Sequence, residues 1–575
     1  MARNKGLAAT AAALVLIFAY WFYLSSEGLH AYFTGDDGMN LQALHHYWQK
    51  PYWQAVLDAF AIATPAYRPV GGLFYRTLYP LFGFDPLPFR VACYIILAWN
   101  LLLAYFLLRR LSGSRRAALF ALVLFSFHAS MIDLYYNTGT VYDLLCFTFY
   151  ISALAVYVRA RRAGAFRWRT AFAVLALYGG ALGSKEMAVT FPAALLLYEG
   201  LWHFRESRWI RSRAAGVITA SSLMTGVFLY VKIALPNAMS GNTLYRPSLS
   251  PVAILNAFCH YADLLLYVEG KLFTPVSLLL TVCVLLVFAW SRRSRAMVFG
   301  LFFFFVSLIP VSVIPPRSGF VMYLPALGFA LYVGVVVKDL CTAVSRIVPV
   351  EPVRAAVPVT AFFILIVTLL PIHVERREHY ARGLRHWHRV ARDFMAELTS
   401  LYPTLPAGAR LMLLDDPFDR DDWAPLFFAR TLYNDPGLLV ERQKRLAGPA
   451  TTDELILYNH VLDYRDGYLA ERPLPNRISG PAVPLVFVPE KVRPGESYVV
   501  HAPALAGKTV DVAVRLQSGS VTQAAIVRNW CTLDASGEAK LVTPADHISA
   551  TVEIVGIRQH NGPWRQAKGG LAVVR

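Results

Sequence analysis

Two adjacent carboxylates stand where this chain first leaves an apolar run. Thr34-Gly35-Asp36-Asp37-Gly38 follows closely on the stretch Leu7 to Leu24. An acid at a bilayer edge costs far less than one at mid-depth, yet a pair against an apolar wall still asks for a role. A carboxylate so placed can take a proton from a hydroxyl as a general base. Three more charged sets fall at the ends of apolar runs: Tyr67-Arg68-Pro69, Ser184-Lys185-Glu186 and Arg317-Ser318-Gly319. Acids, Lys and Arg around one membrane-edge pocket suit an anionic phosphate on a lipid tail. The cations hold the phosphate while a carboxylate deprotonates an attacking hydroxyl. Each set taken singly also reads as ordinary membrane-edge chemistry: a polar loop, an interfacial ion pair, an arginine snorkelling to headgroups.

The elements that must position these residues are membrane helices. Of 575 residues 56% are hydrophobic, and the mean hydropathy is +0.44, which excludes a string of soluble domains. A helical crossing takes about 20 residues. Runs of that kind fall near 7–25, 91–108, 117–135, 141–158, 170–183, 187–203, 214–235, 272–290, 296–314, 320–338 and 355–373. Eleven spans put the two termini on opposite sides. Every second loop is basic: Arg109, Arg110, Arg115 and Arg116 in one, Arg159, Arg161 and Arg162 in another, Arg292, Arg293 and Arg295 in a third. That pattern places these loops and the N-terminus in the cytoplasm and the four charged sets outside. It also accounts for the net charge of +18 without nucleic acid as a partner. Arg3 and Lys5 before the first run resemble a signal peptide, but no small-residue cleavage site follows, so the run reads as an uncleaved span.

The first outer loop, 26–90, carries an amphipathic stretch from Met39 to Phe60, which reads as helix lying flat in the interface. Past about 373 the apolar runs stop. The expected organisation is a transmembrane domain over 1–373, a mixed α/β segment over 374–477 and a β-sandwich of immunoglobulin type over 478–575. The last rests on alternating apolar and polar residues punctuated by Pro494-Gly495, Ser518-Gly519 and Ser536-Gly537. Five of the six cysteines lie in or beside apolar runs, so Cys531 has no partner for a disulfide within the tail, and no spacing resembles a zinc site. His45 and His46 diverge on a helix, and His373, His379, His386 and His388 read as a basic face near headgroups. Trp530 and Trp564 offer either core packing or a carbohydrate contact.

Several segments resemble a known family. Tyr67-Arg68-Pro69, Phe127-His128-Ala129-Ser130, Thr140-Val141-Tyr142-Asp143-Leu144-Leu145, Gly183-Ser184-Lys185-Glu186 and Met322-Tyr323-Leu324-Pro325 come in the order and spacing of the membrane half of the transmembrane-and-tetratricopeptide O-mannosyltransferases. These belong to the GT-C glycosyltransferases. The resemblance covers roughly residues 1–373 and implies a GT-C fold of about eleven spans. It implies inverting transfer of a sugar from a polyprenyl-phosphate donor to a hydroxyl of a protein or envelope glycan. It puts the catalytic acid on Asp36 or Asp37, and it sets Arg68, Lys185 and Arg317 around the donor phosphate with Glu186, His128 and Tyr323 in support. It leaves a divalent cation, magnesium or manganese, open; one acidic pair is thin support, since hard cations take several oxygen ligands. The tetratricopeptide repeats are missing, which leaves the acceptor class open, and no residue ties the donor to mannose.

Two readings of other classes compete with the enzyme: a lipid-linked-sugar flippase, and a membrane scaffold whose tail binds envelope partners. A transporter needs polar residues near mid-membrane on broken helices. Here they gather at span ends on one side, which favours an enzyme. The arginine usage and the tail without disulfides suggest a multi-pass protein of a bacterial inner membrane with its tail in the periplasm.

Overall fold

The computed structural model describes all residues except 1, 44–50, 60–67, 165, 205–212, 235–246, 269, 447, 449, 451–454, 456, 466, 473–481, 519–520, 544–548 and 575. Tyr67, His45, His46 and part of the amphipathic stretch 39–60 therefore lie outside the described residues. The chain divides into two compact units. One comprises Met1–Asn40 and His46–His388, the other Leu41–His45 and Arg389–Arg575.

The first unit is helical. Its elements are α1 (Ala2–Ser25), α2 (Gly35–Ala43), α3 (Tyr52–Ala59), α4 (Pro69–Phe82), α5 (Pro86–Ser112), α6 (Arg115–Ser126), α7 (Asp133–Tyr136) and α8 (Val141–Arg162). There follow α9 (Trp168–Leu182), α10 (Phe191–Trp202), α11 (Arg213–Ala234), α12 (Pro251–Leu265), α13 (Pro275–Ser291), α14 (Arg295–Ser312), α15 (Tyr323–Ile347) and α16 (Glu351–Leu401). Seven stretches among the described residues are long and apolar enough to cross a membrane: Leu7–His30, Pro86–Ser112, Thr138–Arg162, Arg213–Lys232, Arg295–Ser312, Gly319–Ile347 and Glu351–Leu401. The protein is thus a polytopic helical membrane protein, as expected. The other four apolar runs fall on the shorter helices α6, α9, α10 and α13, of 12 to 17 residues. The run 117–135 breaks at Phe127, where the backbone turns extended ahead of a 3-10 turn at Ala129–Met131. The expected boundary near 373 falls inside α16, whose helical pattern continues to Leu401 without a break.

Local sequence sets the helix ends. Asp85 accepts a hydrogen bond from the Leu87 N–H ahead of Pro86, and α5 stops at Gly113, whose φ of 66° suits a residue without a side chain. Ser114 and Ser294 cap α6 and α14 in the same way. Where α14 crosses α15, a Cβ on Gly300 would lie 2.5 Å from the Gly328 carbonyl oxygen, and one on Gly328 2.4 Å from that of Gly300. Only glycine at both positions lets two membrane helices approach backbone to backbone. Arg90 of α5 is almost wholly buried, and its guanidinium donates to the carbonyls of Ala31 and Tyr32. That pins the extended stretch leading into α2.

The second unit is rich in strands. β1 (Arg410–Asp415) runs parallel to β2 (Leu439–Arg442) and to β3 (His460–Arg465), with α17 (Ala424–Leu432) between β1 and β2. β4 (Tyr468–Glu471) closes a hairpin with β3. Beyond it β9 (Thr509–Ser518), β10 (Val521–Thr532), β12 (Ala550–Gln559) and β13 (Arg565–Val573) form an antiparallel sheet, and β8 (Ser497–His501) pairs with β11 (Glu538–Val542) in a second one. Short strands β5 (Val483–Pro484) and β7 (Lys491–Val492) add to β13, and β6 (Val486–Val488) to β8. Both sheets contribute to one apolar core, which includes Leu485, Phe487, Val500, Val512, Leu533, Ile557 and Leu571. Trp564 is buried, and Trp530 is partly buried against the core.

Candidate functional site

The acidic pair separates into two different groups. Asp37 is fully buried and takes donors on both oxygens: the Thr34 N–H at 2.7 Å, the Thr34 hydroxyl at 3.1 Å and the Tyr75 hydroxyl of α4 at 2.8 Å. The Asp37 N–H points back at Thr34 Oγ1 at 3.4 Å. This is a reciprocal cap on the start of α2. Burial pushes the Asp37 carboxyl above the usual carboxylate range, against the pull of Arg90, Thr34 and Tyr75. Asp36 is exposed. The hydrogen bond described at its carboxylate is a long one, 3.4 Å, from the Asn137 side-chain amide. A Cβ on Gly139 would lie 2.8 Å from Asp36 Cβ, so glycine there lets the Asn137 turn sit directly against this acid.

The stretch from Asn137 to Asp143 is the hub. Asn137 meets Asp36. Tyr142 lies under the Arg68 guanidinium at 5.4 Å and donates to Asn40 of α2 at 2.8 Å. Asp143 pairs with Lys185. At 1.5–2.0 Å per helical residue, the hub spans about 10 Å.

The cations form one connected set. Arg68, at the start of α4, meets Glu186 through two parallel hydrogen bonds of 3.3 and 2.8 Å. Lys232, near the end of α11, reaches the same carboxylate at 2.9 Å. Burial raises the Glu186 carboxyl, but Arg68 and Lys232 together outweigh it and hold it far below its ordinary range. The Lys185 ammonium also lies 4.6 Å from the Phe320 ring centre. Within these ion pairs three cations face two carboxylates, Glu186 and Asp143, one positive charge over, and the carboxylates of Asp36 and Asp133 lie beside the set outside its ion pairs. Arg68 keeps 30% of its side chain exposed while Lys232 keeps 6%.

Of the residues singled out from sequence, Asp36, Asp37, Arg68, Lys185 and Glu186 come together. The Arg317 segment arrives through its neighbours: Ser318 donates to Asp133 at 2.8 Å, and Phe320 meets Lys185. The Arg317 N–H itself donates to the Tyr261 hydroxyl. His128 is a bonded, packed residue, with Nε2 2.9 Å from the Leu265 carbonyl, Nδ1 2.8 Å from Ser130 Oγ and its ring stacked on Tyr267 at 4.2 Å. Tyr323 is stacked on Phe125 and lies tilted against Phe147. Sequence reasoning missed Asn137, Tyr75, Arg90 and Lys232. Thr34 three residues before Asp37 carries the spacing of a helix cap, which was the available signal for Asp37. Lys232 gave none, since a lysine ending an apolar run looks like any snorkelling residue. No three histidine, cysteine, aspartate or glutamate side chains among the described residues converge as a metal site would require.

Fold and site define a multi-pass membrane protein with a charged, cation-rich cluster at the ends of its helices. Residues 64–230 match the model of the dolichyl-phosphate-mannose-protein mannosyltransferase family. The match contains Arg68, the Asn137–Asp143 hub, Lys185 and Glu186, and ends two residues short of Lys232. The resemblance to this kind of glycosyltransferase is therefore present in that segment. Among solved structures, the chain is similar to ArnT from Cupriavidus metallidurans bound to undecaprenyl phosphate, at 13% identity over 79% of this chain and 93% of that one, with a TM-score of 0.41. The Archaeoglobus fulgidus oligosaccharyltransferase tethered to an acceptor peptide matches at 12% identity over 75% and 63%, TM-score 0.43. AglB from the same organism, with an inhibitory peptide and a dolichol-phosphate, matches at 11% over 95% and 75%, TM-score 0.41. No curated protein matches the chain.

Proposed function

We propose that the protein is an inverting glycosyltransferase of the GT-C type, using a polyprenyl-phosphate sugar and a hydroxyl acceptor. Asp36 takes the proton of the acceptor hydroxyl, and the freed oxygen attacks the anomeric carbon. The bond from that carbon to the phosphate oxygen breaks, and the phosphate leaves on its lipid. Arg68 and Lys185 hold the charge that builds on the leaving group, and Lys232 helps bind the donor phosphate equally in the ground state and the transition state. Asp37 does not take part in proton transfer; it holds the turn that presents Asp36. The observation that carries this reading is the exposed Asp36 on the same seven-residue hub as a cluster with a surplus positive charge. The family match over 64–230 supports it and makes mannose the first sugar to test. Acceptors are a protein or an envelope glycan, and the site faces the extracytoplasmic side of a bacterial inner membrane.

The test is transfer itself. The full chain in liposomes is given polyprenyl-phosphate mannose and an envelope extract, and labelled product is counted beside scrambling of the donor between leaflets. Sugar appearing on the acceptor supports the proposal. Scrambling with no transfer, with mannose and glucose donors alike, would replace it with a flippase.

A further inference from the structure

The opposite end of the helical unit carries a second charged feature that the transfer reaction does not use. Arg90 and the capping Asp85 lie at the start of α5, which runs 27 residues, or about 40 Å at 1.5 Å per residue. Its last residues, Leu111 and Ser112, line a cavity of about 360 Å³. The charged residues of the lining are Arg292, Arg293, Arg295, Lys338 and Asp339. Asp339 is shared by Arg292, at 3.5 Å, and by Lys338. Four cations to one carboxylate leave a surplus of positive charge inside a hollow.

The backbone at Arg293 argues that this side chain is used. Helix α13 ends in a double hydrogen bond, with the Arg293 N–H on the Trp290 carbonyl at 2.8 Å and the Ser294 N–H on that of Ala289 at 3.0 Å. In this ending the residue at Arg293 must be left-handed, and its φ is 50°. Glycine takes that place without strain and ordinarily fills it. A branchless residue would serve the fold, yet an arginine lining the cavity stands there.

Next to the cavity α13 presents an unbroken apolar ridge. Leu280, Val284 and Val287, spaced four and three residues apart, are exposed along one face, and Trp290 is 83% exposed at the end nearest the basic residues. An apolar helix face leading into a basic hollow with a tryptophan at the junction matches a molecule with a phosphate head and apolar tails. We propose that this cavity binds the phosphate headgroup of one anionic phospholipid, whose acyl chains lie along α13. Basic loops alone would attract such lipids diffusely, without stoichiometry.

Native mass spectrometry of the full chain in detergent micelles tests this, with dioleoyl phosphatidylglycerol, dioleoyl phosphatidylcholine and inorganic phosphate as separate probes. The wild type should keep one phosphatidylglycerol through detergent exchange and bind the phosphatidylcholine with the same tails at least about tenfold more weakly. Arg293→Gly relieves the backbone while removing the side chain. It should melt no lower than wild type in phosphatidylcholine micelles yet lose about tenfold in phosphatidylglycerol affinity, the scale of one charge-assisted hydrogen bond. Arg295→Gln with Lys338→Gln should lose at least as much, and this pair decides alone should Arg293→Gly fail to assemble. Equal retention in wild type and variants, or a graded series of adducts, would overturn the proposal in favour of diffuse attraction. Inorganic phosphate binding alone and displacing the lipid would overturn it in favour of a soluble anion site.

Discussion

Buried charge appears in both units, and two of its clusters, one from each, are built differently. In the strand-rich unit Asp511 is wholly buried and takes the Asn529 N–H at 2.9 Å, Arg558 Nε at 2.8 Å and His560 Nδ1 at 2.9 Å. Arg558 in turn lies 4.6 Å over the Trp564 ring. The acceptor is saturated and its cation is seated on an aromatic face. In the helical unit three cations share two carboxylates, and the adjacent Asp36 stands exposed with one long contact. A cluster made for stability closes on itself. A cluster made for a ligand keeps charge in hand and one face open, because a phosphate must still find something to pair with.

The comparison can be broken most sharply at the acidic pair. Asp36→Asn should lower the transfer rate about 10³-fold, the range of a lost general base, with the melting temperature unchanged. Asp37→Ala should do the reverse. It leaves the Thr34 N–H and the Tyr75 hydroxyl buried without their acceptor, which costs about 3 kcal/mol of stability in a thermal melt. Turnover per folded molecule should fall far less than in Asp36→Asn, because the general base itself is kept. If the two variants swap phenotypes, the assignment of roles is wrong.

These two acids also show where sequence reading stopped. Adjacent aspartates at a span end look alike in one dimension; the spacing from Thr34 marks Asp37 as a cap, and the packing of Tyr75 and Arg90 around it completes the distinction. Arg68, Lys185 and Glu186 were legible because charges at the edge of apolar runs are costly and therefore informative. Asn137 was not, since an asparagine in a turn needs no further reason. The helical spans were legible from hydropathy wherever the run stayed helical. They were overextended at 117–135, where His128 and Ser130 bond locally and break the helix.

Smaller effects sharpen the contrast. Lys232→Met should raise the KM for the donor about tenfold while changing kcat by about twofold or less, because it removes one cation that binds the phosphate while Arg68 and Lys185 remain. A kcat collapse at constant KM would place Lys232 in the chemical step instead. Asp511→Asn should leave transfer untouched and weaken only the strand-rich unit. Burial raises the Asp511 carboxyl, but His560, the Asn529 N–H and Arg558 outweigh it and draw it down to about 2. An acid held below its unfolded value of about 3.9 lends stability that is complete above that pH and is lost as pH falls toward the folded value. The protection of the β9 and β12 amides against hydrogen exchange, taken relative to the intrinsic rate at each pH, should therefore fall between these two values in wild type and much less in Asp511→Asn.

The most direct measurement is equilibrium binding of labelled polyprenyl phosphate to three forms of the full chain in nanodiscs. Wild type and Asp36→Asn should bind alike, while Arg68→Met with Lys185→Met should bind at least about a hundredfold more weakly, since two charge-assisted contacts are gone. Equal binding by all three forms would contradict the account, for the surplus positive charge at the hub would then hold no phosphate.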